Sequence, residues 1–381
     1  MNAMNVSVLV PTFNRANYLA ECLESLLAQS VPPLEIIVID DGSEDGTAAL
    51  LAGYGGRIHT VRKENGGKPS AVNLGLSLAR GDLIWIFDDD DVALPDAIET
   101  RLACLQQHPE AGFVYSSHYY GSDGPDGRIQ RGRRHKVPHF DRDAFFFELM
   151  KGCFFHLATA LVRADVYRAI GGFDGELLSS EDYDMQLRLA RVCNSVFSPA
   201  PSFIFRKHAG LRGAKAIRYT AKQRSNVFRR FDQRVGQKLR ANLAPGEYLV
   251  PRQTGELSTS AQRQALLNRM TVMASKGCIP EMFDDLRQLL SLPESCVELI
   301  SADAKQISEA IRTGYAYEAS RNNWSEFMND VRELKSFPAG NSAIRALASG
   351  MFAMAKGYPD SLGGKLEKLR VAFGLVVASI K

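Results

Sequence analysis

Short apolar runs alternate with segments of helical periodicity from Val6 to about Ser117. The apolar runs cover residues 6–10, 35–39, 58–61 and 83–87, and amphipathic segments lie near residues 18–29, 47–51 and 70–79. This order is typical of β-α-β units, which build a parallel sheet through right-handed crossovers. We therefore predict the α/β class, with a Rossmann-like, mostly parallel sheet that is flanked by helices.

A polar cluster directly follows each of these four apolar runs. The clusters occupy residues 11–14, 40–43, 64–68 and 88–91. Because the carboxyl ends of parallel strands meet at one edge of a sheet, where open α/β folds bind ligands, we expect the clusters to lie together. Carboxylates at such an edge can accept hydrogen bonds from a nucleotide base or a ribose, and Thr12 and Lys68 can contact the base and the phosphates.

The fourth cluster consists of four consecutive aspartates, Asp88 to Asp91, directly after an apolar run. Adjacent carboxylates repel one another and raise each other's pKa unless a cation neutralises them. A hard divalent ion such as Mg²⁺ or Mn²⁺, which prefers oxygen ligands, is suited to this task. A solvated turn before the helix that begins near Pro95 is the alternative, but such turns usually contain Gly, Asn or Ser.

Two other acidic segments also have a structural interpretation. Residues 40–43 fit a turn and helix start, with Gly42 at positive φ and Ser43 as the N-cap. Residues 181–184 fit the first turn of a helix, where acids interact favourably with the helix dipole. The turn explains Gly42 and Ser43, but it does not explain two acids at the end of a strand.

The composition is that of an ordinary globular protein. Of 381 residues, 45% are hydrophobic and 23% are charged, which suits two or three domains. A net charge of +3, without arginine-rich stretches interleaved with aromatic residues, argues against nucleic acid as a partner. The six cysteines form no C-x-x-C pair, the first ten residues lack a signal-peptide pattern, and no apolar segment approaches the ~20 residues that span a bilayer. We therefore expect a reduced, cytoplasmic protein.

Three amino-terminal segments resemble the successive signatures of family 2 glycosyltransferases, which have the GT-A fold. These segments are residues 8–15, 37–43 and 87–91, the last followed by Pro95. Further along, residues 171–174 and 181–184, with Arg188, resemble the acceptor-side signature of the same family. The resemblance covers roughly residues 5–210 and implies an inverting enzyme that uses a nucleotide-sugar donor.

The resemblance implies a role for each matching residue. Asp182 would be the catalytic base, and Asp90 would be the direct metal ligand, with Asp88 and His208 as further metal positions. Mn²⁺ or Mg²⁺ is therefore the implied cofactor. A solvated surface role for His208 stays open. The implied substrate- and nucleotide-binding residues are Pro11, Thr12, Asn14, Asp40, Asp41, Lys68, Asp88, Asp89, Glu181 and Arg188.

The chain also departs from some members of that family. Processive relatives, which polymerise cellulose, chitin or hyaluronan, carry a Gln-x-x-Arg-Trp element and membrane-spanning helices. This chain has neither, and its only tryptophans are Trp85 and Trp324, so it resembles enzymes that add one sugar. It also lacks the arginine that many members place just before the residue matching Asn73, and we expect Lys68 to supply that cation.

The rest of the chain is predicted to be mainly helical. We expect a catalytic domain over residues 1–212, a basic helical connector over residues 213–257 and a helical domain over residues 258–381. The connector either lies on anionic lipid or is solvated, and the arginine-rich loop at residues 121–139 either meets an anionic ligand or is solvated. A lid, a homo-oligomer interface and a membrane-facing platform stay open for the last domain.

These features predict transfer of a single sugar from a nucleotide donor, preferably a UDP-sugar, to a glycan or lipid-linked acceptor in cell-surface polysaccharide synthesis. The enzyme would be cytoplasmic or peripheral at the inner face of the plasma membrane. A haloacid-dehalogenase-like phosphatase that uses Asp88 and Asp90 is one alternative, although three predicted strands precede these residues. A nucleotide-sugar-binding protein without turnover is the other. Neither the sugar nor the acceptor can be identified, and an aspartate that accepts from a base N–H suits uracil, thymine and guanine.

Overall fold

The computed structural model describes residues 4–208, 224–292 and 301–357, together with residues 299, 372, 374 and 375. The chain divides into two compact units, Met1–Leu149 with Cys153–Phe228, and Met150–Gly152 with Arg229–Lys381. The expected domain boundary at residue 212 lies outside the described residues, as do the basic residues 209–223 and nearly all of the final apolar segment.

Among the described residues, the first unit contains eleven strands and seven α-helices, and an eighth α-helix begins at its end. The strands are β1 (Val6–Thr12), β2 (Glu35–Asp40), β3 (His59–Arg62), β4 (Leu83–Ile86), β5 (Val92–Ala93), β6 (Ala111–Ser116), β7 (Tyr119–Asp123), β8 (Ile129–Arg134), β9 (Leu161–Arg163), β10 (Asn194–Ser198) and β11 (Phe203–Arg206). The helices are α1 (Ala16–Leu27), α2 (Thr47–Ala52), α3 (Gly67–Leu78), α4 (Ala97–Gln107), α5 (Arg142–Lys151), α6 (Ala164–Ile170), α7 (Glu181–Val192) and α8 (Arg224–Asn242).

The predicted parallel sheet is confirmed. Seven strands form it in the order β10-β6-β9-β4-β1-β2-β3. Strands β1 to β4 are parallel, as are β6 and β10, whereas β9 is antiparallel to both of its neighbours. A second sheet has the order β5-β11-β7-β8, with β11 parallel to β7 and with β8 antiparallel to β7. The mixed α/β architecture predicted from the alternating pattern is therefore correct.

Burial on both faces of the sheet explains why its inner strands β1, β2 and β4 are rich in apolar residues. Val8, Leu9 and Val10 of β1 are all fully buried. Helix α3 lies close to this sheet, since a Cβ atom added to Gly75 would be 2.9 Å from the Ile39 side chain and 3.3 Å from that of Leu9. The glycine permits this close approach, which holds the amino terminus of α3 at the edge of the sheet where the polar clusters lie.

The second unit is helical, as predicted. After α8 it contains α9 (Thr259–Ser275), α10 (Ile279–Leu290), α11 (Ser301–Ala310), α12 (Gly314–Asn322), α13 (Trp324–Glu333) and α14 (Gly340–Gly357). Its core includes Phe283 and Phe327, whose rings lie 5.3 Å apart. A membrane crossing would need a longer apolar stretch than any helix of the described residues offers.

The charges of α8 are partly used within this second unit. The buried carboxylate of Asp285 accepts a hydrogen bond from Arg240 at 2.6 Å and from Arg269 at 2.9 Å. Arg229 forms an ion pair with Glu318 of α12. A buried carboxylate is tolerated because the guanidinium groups neutralise it. Two arginines of the basic connector therefore stabilise the helical unit, and the expected contact of the connector with lipid stays a prediction.

Candidate active site

The polar clusters that follow β1, β2 and β4 lie at one edge of the seven-stranded sheet, as the parallel pattern predicted. Thr12 at the end of β1 is paired in register with Asp40 at the end of β2. The backbone N–H of Phe87 donates to the carbonyl of Leu9 at 2.9 Å, so residues 88–91 leave the sheet beside β1. The remaining cluster leads from β3 into α3.

The carboxylate of Asp41 is buried and holds the loop between β3 and α3. It accepts hydrogen bonds from Lys63 Nζ at 2.7 Å, Gly66 N at 3.0 Å, Gly67 N at 2.7 Å and Asn65 Nδ2 at 3.1 Å. Both oxygens therefore already serve the loop. The contact of Asp41 with a nucleotide base, which the sequence led us to expect, stays a prediction.

Asp40 and Asn14 connect the turn after β2 with the turn after β1. The backbone N–H of Ser43 donates to Asp40 Oδ1 at 2.8 Å, and the N–H of Asn14 donates to the hydroxyl of Ser43 at 3.0 Å. Asn14 has a φ of 54° and Gly42 a φ of 80°. A Cβ atom on Gly42 would also be 3.0 Å from the backbone nitrogen of Asn65, so the turn requires glycine.

The four consecutive aspartates have different partners. Asp88 Oδ1 lies 2.8 Å from Lys68 Nζ, and Asp90 Oδ2 lies 2.9 Å from His208 Nε2. Asp91 Oδ1 accepts a hydrogen bond from the backbone N–H of Arg206 at 2.9 Å. The structure thus places His208 beside Asp90, whereas Asp88 contacts Lys68, and it gives Asp91 a structural role in joining this loop to β11. The metal-binding roles expected for Asp88, Asp90 and His208 stay predictions.

Excess negative charge remains in this loop. Burial, followed by the neighbouring charge of Asp90, raises the pKa of Asp89 to about 7. Among the described residues, no group of three or more His, Cys, Asp and Glu side chains is arranged to hold a metal ion. The two carboxylates of Asp88 and Asp90 and the imidazole of His208 are nevertheless suitable metal donors, and a hard divalent ion commonly completes its coordination with phosphate oxygens and water.

Lys68 joins residues 88–91, the acidic loop, to the amino terminus of α7. Its ammonium group lies 2.8 Å from Asp88 Oδ1, 3.0 Å from Asp182 Oδ2 and 3.9 Å from Glu181 Oε1. Lys68 and Asp182 are 114 positions apart in the chain, and only the fold brings them together. Three carboxylates around a single ammonium group leave the cluster with a net negative charge.

The electrostatics of this cluster favour proton exchange at its carboxyl groups. Burial lowers the pKa of Lys68, but the surrounding carboxylates, Asp182 first, raise it further, so that it lies well above its ordinary value. Burial and then Asp182 raise the pKa of Glu181 to about 7. Burial also raises the pKa of Asp182, although Lys68 opposes this shift. Asp182 Oδ1 is buried and has no hydrogen-bond partner among the described residues, which leaves it available to accept a proton.

Arg206 and Arg15 support the acidic loop and were not among the predicted site residues. Arg206 is 1% exposed and donates from Nε to the carbonyl of Asp90 at 2.7 Å, while its other nitrogens pair with Glu21 and Asp123. Arg15 Nη1 lies 3.3 Å from His208 Nε2. Arg15 lies at the end of residues 8–15, which resemble the first family signature, and Arg206 lies two residues before His208. These positions were the available signal for a role in the site, but charge alone did not distinguish the two residues from surface arginines.

Arg188 has fold-related contacts rather than contacts with the acidic loop. Its Nε donates to Asp184 Oδ2 at 2.9 Å and its Nη1 to the carbonyl of Ile170 at 3.2 Å. These bonds join α7 to the end of α6. The substrate-binding role expected for Arg188 stays a prediction, as does that of Pro11, which is buried within β1.

Asn73 of α3 fixes the segment that resembles the acceptor-side signature. Its Oδ1 accepts a hydrogen bond from the backbone N–H of Phe173 at 2.7 Å, and its Nδ2 donates to the carbonyl of the same residue at 2.9 Å. A Cβ atom on Gly172 would be 2.5 Å from Asn73 Oδ1. The glycine is therefore required for this contact, which ties α3, the helix of Lys68, to the segment before α7.

Comparison with known proteins matches residues 7–171 to the family model described as Glycosyl transferase family 2. An uncharacterized glycosyltransferase of Rickettsia prowazekii (strain Madrid E) is 31% identical over 209 residues, which are 54% of this chain and 64% of the relative. The chondroitin synthase of Pasteurella multocida (strain Pm70) is 32% identical over 190 residues, which are 49% of this chain and 19% of the synthase. The chain thus spans less than two thirds of the length of these relatives.

The fold also resembles that of a crystal structure of S. aureus TarS 1-349 in complex with UDP-GlcNAc. The TM-score is 0.52 and the sequences are 19% identical. The similarity covers 84% of this chain and 89% of that chain. At this identity, the likeness supports the architecture of the molecule rather than any particular ligand.

Proposed function

Because residues 7–171 belong to glycosyl transferase family 2, we propose that this protein is a metal-dependent, inverting glycosyltransferase. Its amino-terminal unit is a glycosyltransferase domain of the GT-A fold. The proposed reaction moves one sugar from a nucleotide diphosphate donor to a glycan or lipid-linked acceptor in cell-surface polysaccharide synthesis. A UDP-sugar is the proposed donor, and the UDP-GlcNAc complex of the structurally similar S. aureus TarS supports that choice.

The observation that carries this proposal is the bridge from Asp88 through Lys68 to Asp182. It places the acidic loop, which would bind the donor phosphates through a metal ion, beside a carboxylate at the start of α7. A glycosyltransferase needs these two groups close together, because the acceptor hydroxyl attacks the carbon that carries the phosphates. The match of residues 7–171 to a glycosyltransferase family model, together with the three parallel strands that precede the aspartates, favours this proposal over a phosphatase of the haloacid dehalogenase type.

In the proposed reaction, the carboxylate of Asp182, whose side chain is 33% exposed, accepts the proton of the acceptor hydroxyl. The hydroxyl oxygen forms a bond to the anomeric carbon while the bond from that carbon to the diphosphate breaks, which inverts the configuration. The electron pair leaves with the diphosphate, which Lys68 can bind. A divalent ion bound by Asp90, with Asp88 and His208 nearby, would neutralise the charge that develops on this leaving group.

A nucleotide titration tests the donor site. The purified chain is titrated by calorimetry with UDP, GDP, CDP and dTDP, each with and without Mn²⁺. We expect binding of UDP that depends on Mn²⁺. Failure of all four nucleotides to bind would contradict the proposal, and metal-dependent binding of a different nucleotide would correct the base. Binding of UDP without transfer to any acceptor would support the alternative of a nucleotide-sugar-binding protein.

A further inference from the structure

The outer strand of the second sheet presents a row of positive charge to solvent. We propose that this row binds an extended acceptor glycan that carries repeated oxyanions, either phosphodiesters or carboxylates. This inference rests on the proposed transferase function and adds the chemical class of the acceptor. The β8 cationic surface, as we call it, consists of Arg128, Arg131, Arg133, Lys136 and Lys207, all of which are exposed.

Four of these cations are not neutralised by carboxylates of the described part of the fold. Among the described residues, no ion pair joins Arg128, Arg131, Arg133 or Lys136 to a carboxylate. Two carboxylates lie nearby: Asp123, at the end of β7, is paired with Arg206, and Asp126 accepts a hydrogen bond from the backbone N–H of Arg128 at 3.2 Å. The surface therefore keeps an excess of positive charge, which attracts anions.

The arginines of the surface are held in place by aromatic rings. The guanidinium carbon of Arg131 lies 4.9 Å from the ring centre of Tyr119, and that of Arg133 lies 5.3 Å from the ring centre of Tyr120. Lys207 Nζ lies 4.1 Å from the same ring of Tyr120. A stacked guanidinium keeps its N–H donors free for an oxyanion while losing less side-chain freedom on binding. Two cations therefore lie close to the ring of Tyr120, which concentrates positive charge at this point of the surface.

The shape of the surface favours a polymer over a single anion. Strand β8 has six residues and so is about 20 Å long, with cations distributed along it and beyond both ends. It is the edge strand of its sheet, and its only strand partner among the described residues is β7. Charges on an edge strand also discourage aggregation, but that role does not require arginines stacked on two tyrosines.

The surface begins beside the acidic loop of the active site. The backbone N–H of Ile129, at the start of β8, donates to Glu21 Oε1 at 3.2 Å, and Glu21 is paired with Arg206, which binds the carbonyl of Asp90. Because β8 is antiparallel to β7, it runs from this end towards Arg134. An anionic chain bound along β8 would thus extend away from the repelling carboxylates.

Matched variants of the full chain test the proposal. The double variant Arg131→Gln/Arg133→Gln removes two stacked charges. The control is Arg57→Gln, because Arg57 is also exposed and stacked, at 5.2 Å from the ring centre of Tyr54. It is paired with Glu24 and precedes β3, an edge strand of the seven-stranded sheet and not of the sheet that contains β8. Inorganic polyphosphate, hyaluronan oligosaccharides, neutral dextran and phosphatidylglycerol vesicles serve as probes, and thermal melting checks that each variant folds.

We expect one of the two anionic polymers to bind, with affinity reduced about tenfold or more in the double variant and less than about twofold in Arg57→Gln. The preferred polymer distinguishes phosphodiester from carboxylate chemistry. Arg131→Lys/Arg133→Lys, which keeps the charge, should retain most of the affinity. Equal losses in the control, equal binding of dextran, or binding of vesicles alone would overturn the inference.

A parallel titration with UDP and Mn²⁺ separates this inference from the function on which it rests. The double variant should bind UDP as the wild type does, since none of its changes touches the acidic loop. If the wild type binds the anionic polymer through β8 but binds no nucleotide, the transferase proposal fails. If it binds UDP but the polymer does not depend on Arg131 and Arg133, the acceptor inference alone fails.

Discussion

Two carboxylate clusters lie at the same edge of the sheet, but different groups balance their charge. Asp41 is buried and is held by two backbone N–H groups, an amide and Lys63. The carboxylates of Asp88 and Asp182 are instead held by the flexible side chain of Lys68. Among the described residues, Asp182 Oδ1 has no hydrogen-bond partner. The hydrogen bonds of the Asp41 carboxylate are therefore all supplied by the loop that it holds, whereas the contacts of Lys68 with Asp88 and Asp182 can be replaced by contacts with a ligand.

This difference separates residues that build the site from residues that can act in it. Backbone donors are fixed by the fold, so the Asp41 cluster cannot release them without opening the loop. A lysine side chain can move to a diphosphate by rotation about its own bonds. We therefore expect substitutions in the first cluster to change mainly stability, and substitutions in the second to change mainly catalysis.

Asp182→Asn should give the largest effect. The amide keeps the size of the side chain but cannot accept the proton of the acceptor hydroxyl, so the transfer rate should fall about a hundredfold or more. Binding of UDP with Mn²⁺ should stay within about twofold of wild type, because the acidic loop is unchanged. Single-turnover transfer and calorimetry measure the two quantities. Normal turnover in this variant would show that another group is the base.

Asp41→Asn should destabilise the protein by about 1–3 kcal/mol. In the wild type every donor around residue 41 bonds to a carboxylate oxygen, whereas in the variant some of these donors would face the NH₂ group of the amide. Urea unfolding of the wild type and the variant measures the difference. Asn65→Ala is a milder control, since it removes only one of the partners of Asp41. A variant that unfolds like the wild type but loses UDP binding would break the comparison and assign Asp41 to the nucleotide.

Asp90→Ala should reduce Mn²⁺-dependent nucleotide binding about tenfold or more, because it removes the expected metal ligand. The matched change in the same loop is Asp89→Asn, at a residue for which the resemblance implies a nucleotide contact that an amide can still make. Since the pKa of Asp89 is already raised to about 7, an amide resembles its protonated form, and binding should change by less than about threefold. Calorimetry at several Mn²⁺ concentrations tests both variants. Equal losses in the two variants would indicate that total charge, not a particular ligand, determines binding.

The fold and the edge that carries the site could be predicted from the sequence because both follow from local patterns. Each of the four parallel strands β1 to β4 was visible as an apolar run, and the cluster after each run showed which edge binds ligands. The second sheet was not predicted. Its strands β7 and β8 are polar and mostly exposed, so they lack the apolar pattern that marks a strand.

The partners of the site residues could not be predicted, because long-range contacts determine them. No spacing rule joins Lys68 to Asp182 or Arg206 to Glu21, and both pairs depend on how helices pack against the sheet. Lys68 was expected at the phosphates, but its position between carboxylates was not foreseen. Similarly, the four adjacent aspartates appeared to form one unit, whereas the fold assigns Asp91 to β11.

The smallest but most diagnostic expected effect is a shift in the pH dependence of transfer in Lys68→Met, measured separately from the fall in the maximal rate that follows from losing the contact of Lys68 with the diphosphate. The ammonium group stabilises the ionised forms of Asp182 and Glu181, so its removal should raise their pKa values. Because the base must be ionised, the acid limb of the rate should move upward by roughly one pH unit or more. Lys63→Met, which affects only the Asp41 cluster, should leave that limb in place. If both variants shift it equally, the two clusters are electrostatically coupled, and the division between a structural and a reactive cluster no longer holds.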